Sequence, residues 1–289
     1  MIPNVDNDSI VYLNGDYIRL GDAKVSVLDR GFVFGDGIYD VVPAYNGKPF
    51  RMSGHLARLE RSLAAIGIET GLQRHDWEAL VLGMLQRSGL GECMVYIQVT
   101  RGVAKRDHGF PDDVSPTVFC MVSPFTRPTQ LLRQQGLSAV GIEDIRWLRC
   151  EIKSVSLLGN VLAKQHAVDA GVDDVLQFRD GYLTEGSASN IWVAKDGVLL
   201  APPRSNLILE GIRYGLLEEL ADAAGIEFNA RPVSRQEVEN ADELMLSSAT
   251  KELLPITSYD GRPVGNGQPG SVYAALRQGY DQAIAALQG

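Results

Sequence analysis

The sequence predicts an α+β fold in two parts, a smaller N-terminal one and a larger, barrel-like C-terminal one. Strand-like stretches are numerous, they are punctuated by Asn-Gly and Asp-Gly turns, and an aperiodic stretch with two prolines, "SPFTRPTQ" at residues 123–130, divides the chain. Many strands with few intervening helices favour a curled sheet over a doubly wound one.

The first part opens on two hairpin signals, "SIVYLNGDYIRL" around Asn14-Gly15 and "IYDVVPAYNGKPF" around Asn46-Gly47. A helix is expected from about Ser53, with Ser53 as N-cap, Leu56, Leu59 and Leu63 on one face and Gly67 near its end. A second, through "DWEALVLGMLQRSG", carries Trp77, Leu80, Val81, Met84 and Leu85 as an apolar stripe, and two strands, "CMVYIQVTR" and "TVFCMVS", follow. Beyond the divide, "GLSAVGIEDIRWL" reads as a strand and "SVSLLGNVLAKQHAVDAG" as a helix closing at Gly171 with Leu157, Leu158, Val161 and Leu162 packed inward. Hairpins are expected about Asp180-Gly181 and within "NIWVAKDGVLLA", then a helix from about Gly211 to Ala224. Ser234 and Glu237 have capping-box spacing, "ELMLSS" reads as a buried strand, and an amphipathic helix from about Ser271 ends the chain.

Of 289 residues, 45% are hydrophobic and 22% charged, as in an ordinary globular protein. The formal charge of -9 argues against a dedicated nucleic-acid or anionic-membrane binder, since both need a basic surface. No apolar run approaches a membrane span, and "MIPNVDNDS" lacks the basic and apolar start of a leader, so a cytoplasmic protein is expected. Cys93, Cys120 and Cys150 form no CxxC pair and His55, His75, His108 and His166 are scattered, which predicts neither a disulfide framework nor a metal.

In "EIKSVSLLGNVLAKQ", Lys153 stands beside an uncharged flank, whereas Lys164, next to Gln165 and His166, reads as solvated. For an arbitrary lysine a place at the surface is far the commoner one. If desolvated, its pKa falls toward the range where the amine is a nucleophile or base. "LTEGSASN" sets Glu185 before a Gly-Ser turn that lets backbone approach a ligand closely, and a carboxylate there suits a pyridinium nitrogen. Three stretches could hold phosphate: the helix opening at Gly211, the hydroxyl loop of "MLSSATKE", and Arg58 with Arg61 in "GHLARLERS". No GxxxxGKS loop or strand-borne GxGxxG is present.

Together with "DRGFVFGDGIYDVV", these motifs resemble, in order and along essentially the whole chain, the fold-type IV pyridoxal-phosphate enzymes, the class IV aminotransferases, with the D-amino acid aminotransferase branch nearest. The resemblance implies a small N-terminal α/β sandwich-like domain at residues 1–123, a linker at 124–130, and a larger C-terminal pseudo-barrel domain at 131–289 that binds pyridoxal 5'-phosphate. It implies that Lys153 forms the Schiff base and shuttles the substrate proton, and that Glu185 keeps the pyridine nitrogen protonated. Arg58, Ser189, Ile212, Ser248, Ala249 and Thr250 would complete the cofactor site.

The resemblance extends to substrate recognition. Arg106 and His108 match the Arg-x-His pair that traps the substrate carboxylate, joined by Tyr39, and in the family that loop comes from the neighbouring subunit of a homodimer. Because Lys153 takes its proton from one face, the position of that trap sets which enantiomer reacts. The expected reaction moves an amino group between D-amino acids such as D-alanine and 2-oxo acids such as 2-oxoglutarate. An L-branched-chain aminotransferase, an (R)-amine transaminase or an aminodeoxychorismate lyase on the same fold are the alternatives. Four departures stand out: Arg213 where the family often has threonine, Asp40 where a glutamate is common, Ala188 where a serine is common, and Lys105 where a proline often precedes the arginine. Arg213 either adds charge at the phosphate or faces solvent on this reading.

Overall fold

The computed structural model describes residues 5–288, so residues 1–4 of the opening stretch read for a leader lie outside the described residues. The chain forms two compact units. One runs to Thr126 and includes Ile152–Ser156, and the other comprises Arg127–Glu151 and the chain from Leu157 on.

The first unit is an antiparallel six-stranded sheet with helices against it. Its strands are β1 (Ile10–Leu13), β2 (Asp16–Arg19), β3 (Gly37–Tyr45), β4 (Lys48–Pro49), β5 (Cys93–Thr100) and β6 (Thr117–Pro124), in the order β2-β1-β6-β5-β3-β4. Asn14-Gly15 and Asn46-Gly47 make the two hairpin turns, with both asparagines at positive φ. "DRGFVFG" folds as a short helix, α1 (Arg30–Phe34), whose N-cap Asp29 accepts from the Gly31 amide. Helices α2 (Met52–Ala65) and α3 (Arg74–Ser88) bury Leu56, Leu59 and Leu63, and Trp77, Leu80, Val81, Met84 and Leu85, as their periodicity predicts. The cap of α2 differs from expectation. The chain enters it through Arg51 in the left-handed region (φ 55°), and Ser53 lies inside the helix. Ser123 and Pro124 pair with Met94 and Cys93, because the ladder continues past the first proline of the aperiodic stretch.

The second unit holds α4 (Gln130–Gln135), β7 (Leu137–Glu143), α5 (Leu158–Asp169), β8 (Asp174–Arg179), β9 (Tyr182–Leu183), β10 (Asn190–Lys195) and β11 (Val198–Ala201). It continues with α6 (Ile212–Ala223), β12 (Phe228–Ala230), α7 (Arg235–Glu239), β13 (Glu243–Ser248), β14 (Glu252–Tyr259), β15 (Arg262–Pro263) and α8 (Ser271–Ala285). Its strands make one curled nine-stranded sheet, β12-β11-β10-β13-β14-β7-β8-β9, with β15 on β14; β7 pairs in parallel with β8 and β14, and β11 with β12. The Ser234 and Glu237 capping box forms as predicted.

The helix after Lys153 departs from the sequence reading twice. It starts only at Leu158, since Ser154 bridges Ile38 and Ser156 Oγ donates to the Gly35 carbonyl. Its aliphatic stripe also faces outward, with Leu158 71%, Val161 58% and Leu162 50% exposed. The buried face is Ala163 and Ala167, packed with Val175 of β8.

Candidate active site

In the first unit the segment Ile152–Ser156 is stitched along the start of β3. The Tyr39 amide donates to the Lys153 carbonyl (2.9 Å) and the Val155 amide to the Gly37 carbonyl (3.0 Å). This fixes the Lys153 backbone, and its Nζ lies 4.2 Å from the centre of the Tyr39 ring. Tyr39 in turn stacks on Tyr96 (5.7 Å between centroids), so the predicted Schiff-base lysine and a residue predicted to bind substrate meet.

Arg58 is buried in α2 and grips Asp40 with both edges of its fork, Nε to Oδ2 at 2.8 Å and Nη2 to Oδ1 at 2.9 Å. His55 Nδ1 is 2.7 Å from the same carboxylate. Burial alone would push the Asp40 carboxyl up, but Arg58 and His55 outweigh it and hold it well below the usual carboxylate range. Asp40 thus orients the guanidinium predicted to meet phosphate.

Arg106 and His108 are exposed, and both rest on Phe34, the Arg106 Cζ and the His108 ring each 5.3 Å from its centroid. Beneath them Arg30, buried and paired with Asp36 (2.7 Å), donates to the Asp107 carbonyl (2.6 Å). The "DRGFVFGDG" motif is therefore a mount for this loop. Gly31 is required there, because a Cβ would lie 2.2 Å from Thr100 Cγ2.

In the second unit Glu185 is 5% exposed. Its Oε1 accepts the Leu209 amide (2.9 Å) and its Oε2 an N–H of Arg146. Arg146 also donates through Nη2 to Asp144 Oδ2 (2.8 Å). Burial pushes the Glu185 carboxyl above its ordinary range, opposed by Arg146 and the Leu209 amide. Burial likewise weighs against the Arg146 charge, but Asp144 and Glu185 outweigh it and keep the guanidinium cationic. Asp144, which burial would raise, is held at about 2 mainly by Arg146. Sequence reasoning missed both residues; their signal was the Asp-x-Arg spacing in "EDIRWL", and the strand expected there ends at Glu143.

The turn after Glu185 is pinned from below by Asp174, another residue sequence reasoning missed. Its carboxylate accepts the Ser187 hydroxyl (2.6 Å), the Ser189 hydroxyl (3.4 Å) and Lys251 Nζ (2.9 Å). Ser248 and residues 249–251 form the tight connection from β13 to β14, where the Lys251 amide donates to Ser248 Oγ (3.0 Å). Ile212 opens α6 behind Gly211, which offers no capping side chain to the first-turn amides. Arg213 does not face solvent as one sequence alternative had it; it is 2% exposed. Lys164 is exposed, as expected.

These donor sets fit pyridoxal phosphate. Uncapped helix amides and a hydroxyl turn suit a phosphate, and a buried, arginine-held carboxylate suits a protonated ring nitrogen. Both segments pack closely on their own chain through glycine: a Cβ on Gly211 would lie 2.2 Å from Asn190 Oδ1, and one on Gly186 would lie 2.2 Å from Ser189 Oγ.

The family model for amino-transferase class IV matches residues 37–259, from the start of β3 to the end of β14. The chain belongs to the class IV aminotransferases. Its cofactor is pyridoxal phosphate and its reaction class is amino transfer. Among curated relatives of this class IV aminotransferase, D-alanine aminotransferase of Staphylococcus epidermidis is 40% identical over 275 residues, covering 95% of this chain and 97% of the relative. That of Bacillus licheniformis is 38% identical over 274 residues, covering 95% and 96%. The fold is that of the branched-chain amino acid aminotransferase from Escherichia coli (TM-score 0.84, 25% identity, 94% of this chain and 92% of that one). Among the described residues no helix is long and apolar enough to cross a membrane.

Proposed function

We propose that this aminotransferase moves amino groups between D-amino acids of the D-alanine type and 2-oxo acids of the 2-oxoglutarate type. The observation that carries the reading is the match to relatives named D-alanine aminotransferases along 95% of the chain. Pyridoxal phosphate, when bound, supplies a protonated ring that accepts the electron pair released at the substrate α-carbon. Lys153 would hold the cofactor through Nζ, and its amine, once free, would move the proton at the substrate α-carbon on the one face it can reach. Glu185 would keep the ring nitrogen protonated, and Arg146, cationic against it, opposes the burial that raises the Glu185 carboxyl. Arg58, the Ile212 amide, Ser189 and residues 248–250 would hold the phosphate.

Arg106, His108 and Tyr39 take the substrate carboxylate, with the Arg106–His108 loop offered to the neighbouring subunit of a homodimer. The exposure of that loop together with its firm seat on Arg30 and Phe34 supports this: it is built rigidly yet meets little of its own chain. The outward stripe of α5 supports a second copy as its cover, since adjacent exposed leucines and valines on a monomer's helix mark an association surface. Three unpaired, buried thiols fit a cytoplasmic setting. The branched-chain aminotransferase fold neighbour sustains L-branched-chain transamination as the second reading.

The direct test of the lysine assignment is Lys153→Ala. It should remove both amino transfer and the visible chromophore that borohydride reduction fixes to wild-type protein. D-transaminase turnover retained in this variant would sink the assignment.

A further inference from the structure

The first turn of α6 is an unusual place for Arg213. A helix N-terminus favours anions, and a cation there has no dipole partner, so an arginine would ordinarily turn out to solvent. Instead Arg213 is 2% exposed. Its Nε donates to the Tyr280 hydroxyl of α8 at 2.9 Å, and Tyr280 is itself fully buried. Its Nη2 reaches the carbonyl of Ala249 at 3.4 Å, the long end of a hydrogen bond. The guanidinium thus lies between α8 and the β13–β14 connection while its backbone belongs to the helix opening.

The same connection is held at its other end. Lys251 Nζ donates to Asp174, which also takes the Ser187 hydroxyl and amide of the turn after Glu185. One contiguous set of bonds therefore runs from α8 through Arg213 to the loop, and from the loop through Lys251 and Asp174 to the Glu185 turn. We propose that Arg213 is a positioning residue: it fastens residues 248–250 to the first turn of α6, so that the two donor segments are held at one spacing for the cofactor phosphate. The inference rests on the phosphate-binding reading above. Amides from two segments bind one phosphate tightly only if their separation is fixed beforehand, because any ordering left to binding is subtracted from affinity.

The test compares pyridoxal 5'-phosphate with pyridoxal, which lacks the phosphate, by fluorescence titration of apo protein in wild type, Arg213→Met, Arg213→Lys and Tyr280→Phe. Arg213→Met should weaken pyridoxal phosphate by about tenfold or more and leave pyridoxal within about twofold; Arg213→Lys should recover part of the loss, and Tyr280→Phe, the milder change, should lose a few-fold for the phosphate form alone. Hydrogen exchange of the apo protein should be faster at residues 249–251 in Arg213→Met than in wild type. Equal loss of both ligands, which a merely structural role produces, overturns the proposal, as do unchanged phosphate-form affinity and unchanged exchange in that loop. Wild-type protein that binds neither ligand overturns the cofactor-site reading instead, and the exchange comparison still decides whether Arg213 clamps the loop.

Discussion

Replacing Arg146 with methionine removes the cation shared by two buried carboxylates. Asp144 keeps a second partner, Arg179 at 3.2 Å, and Glu185 keeps only the Leu209 amide among its described bonds. Breaking a buried pair by removing one partner costs about 3–5 kcal/mol, and the surviving contacts place this case at the lower end, about 3 kcal/mol. For a protein of this size that is a fall in melting temperature of roughly 6–12 °C. The loss should depend on pH in a definite direction. Burial already raises the Glu185 carboxyl, and without Arg146 it rises further above its unfolded value. A raised carboxyl costs nothing below the unfolded pKa and costs fully above the folded one, so the deficit should be larger at pH 8 than at pH 5. Wild type differs: Asp144, held at about 2, contributes stability that is present above the ordinary carboxylate range and disappears only as pH falls toward 2. The assay is thermal and urea unfolding of apo wild type, Arg146→Met and Arg146→Lys between pH 5 and 8. Lysine should recover part, because a point charge cannot span both carboxylates as the fork does. A deficit below about 1 kcal/mol at pH 8, or one that grows toward pH 5, would refute the reasoning.

Two further outcomes follow from the surface. Arg106→Ala should lower kcat/KM for D-alanine by roughly 10- to 100-fold, the worth of a charge-assisted hydrogen bond to a carboxylate, while cofactor titration is unchanged; equal kinetics would put the carboxylate site elsewhere. Val161→Lys in the exposed stripe of α5 should shift the sedimentation coefficient from dimer to monomer with little change in the melt of the isolated chain, and a persistent dimer would place the interface on another face.

What was legible in the sequence was local. Asn-Gly pairs announced their hairpins, the stripe of α3 announced a buried face, and Ser234 with Glu237 announced a helix start, because each depends on residues a few positions apart. The motifs around Lys153 and Glu185 were legible as a family pattern. What was not legible depends on distant partners. Asp40 meets Arg58 from a strand, Asp174 meets Lys251 from another, and neither spacing leaves a trace in the chain. Periodicity located the apolar face of α5 but could not say whether its cover is the chain itself, and here two alanines face inward instead. The solvent-facing alternative for Arg213 fails for the same reason: its destination, Tyr280, lies on the last helix.

The central claim is transfer of amino groups with D stereochemistry. The most direct measurement incubates the purified enzyme with 2-oxoglutarate and either the D or the L form of alanine and leucine, then resolves the glutamate formed by chiral chromatography. D-glutamate formed from D-alanine, with the L amino acids inert, is the predicted result. L-glutamate formed from L-leucine, with D-alanine untouched, would contradict it.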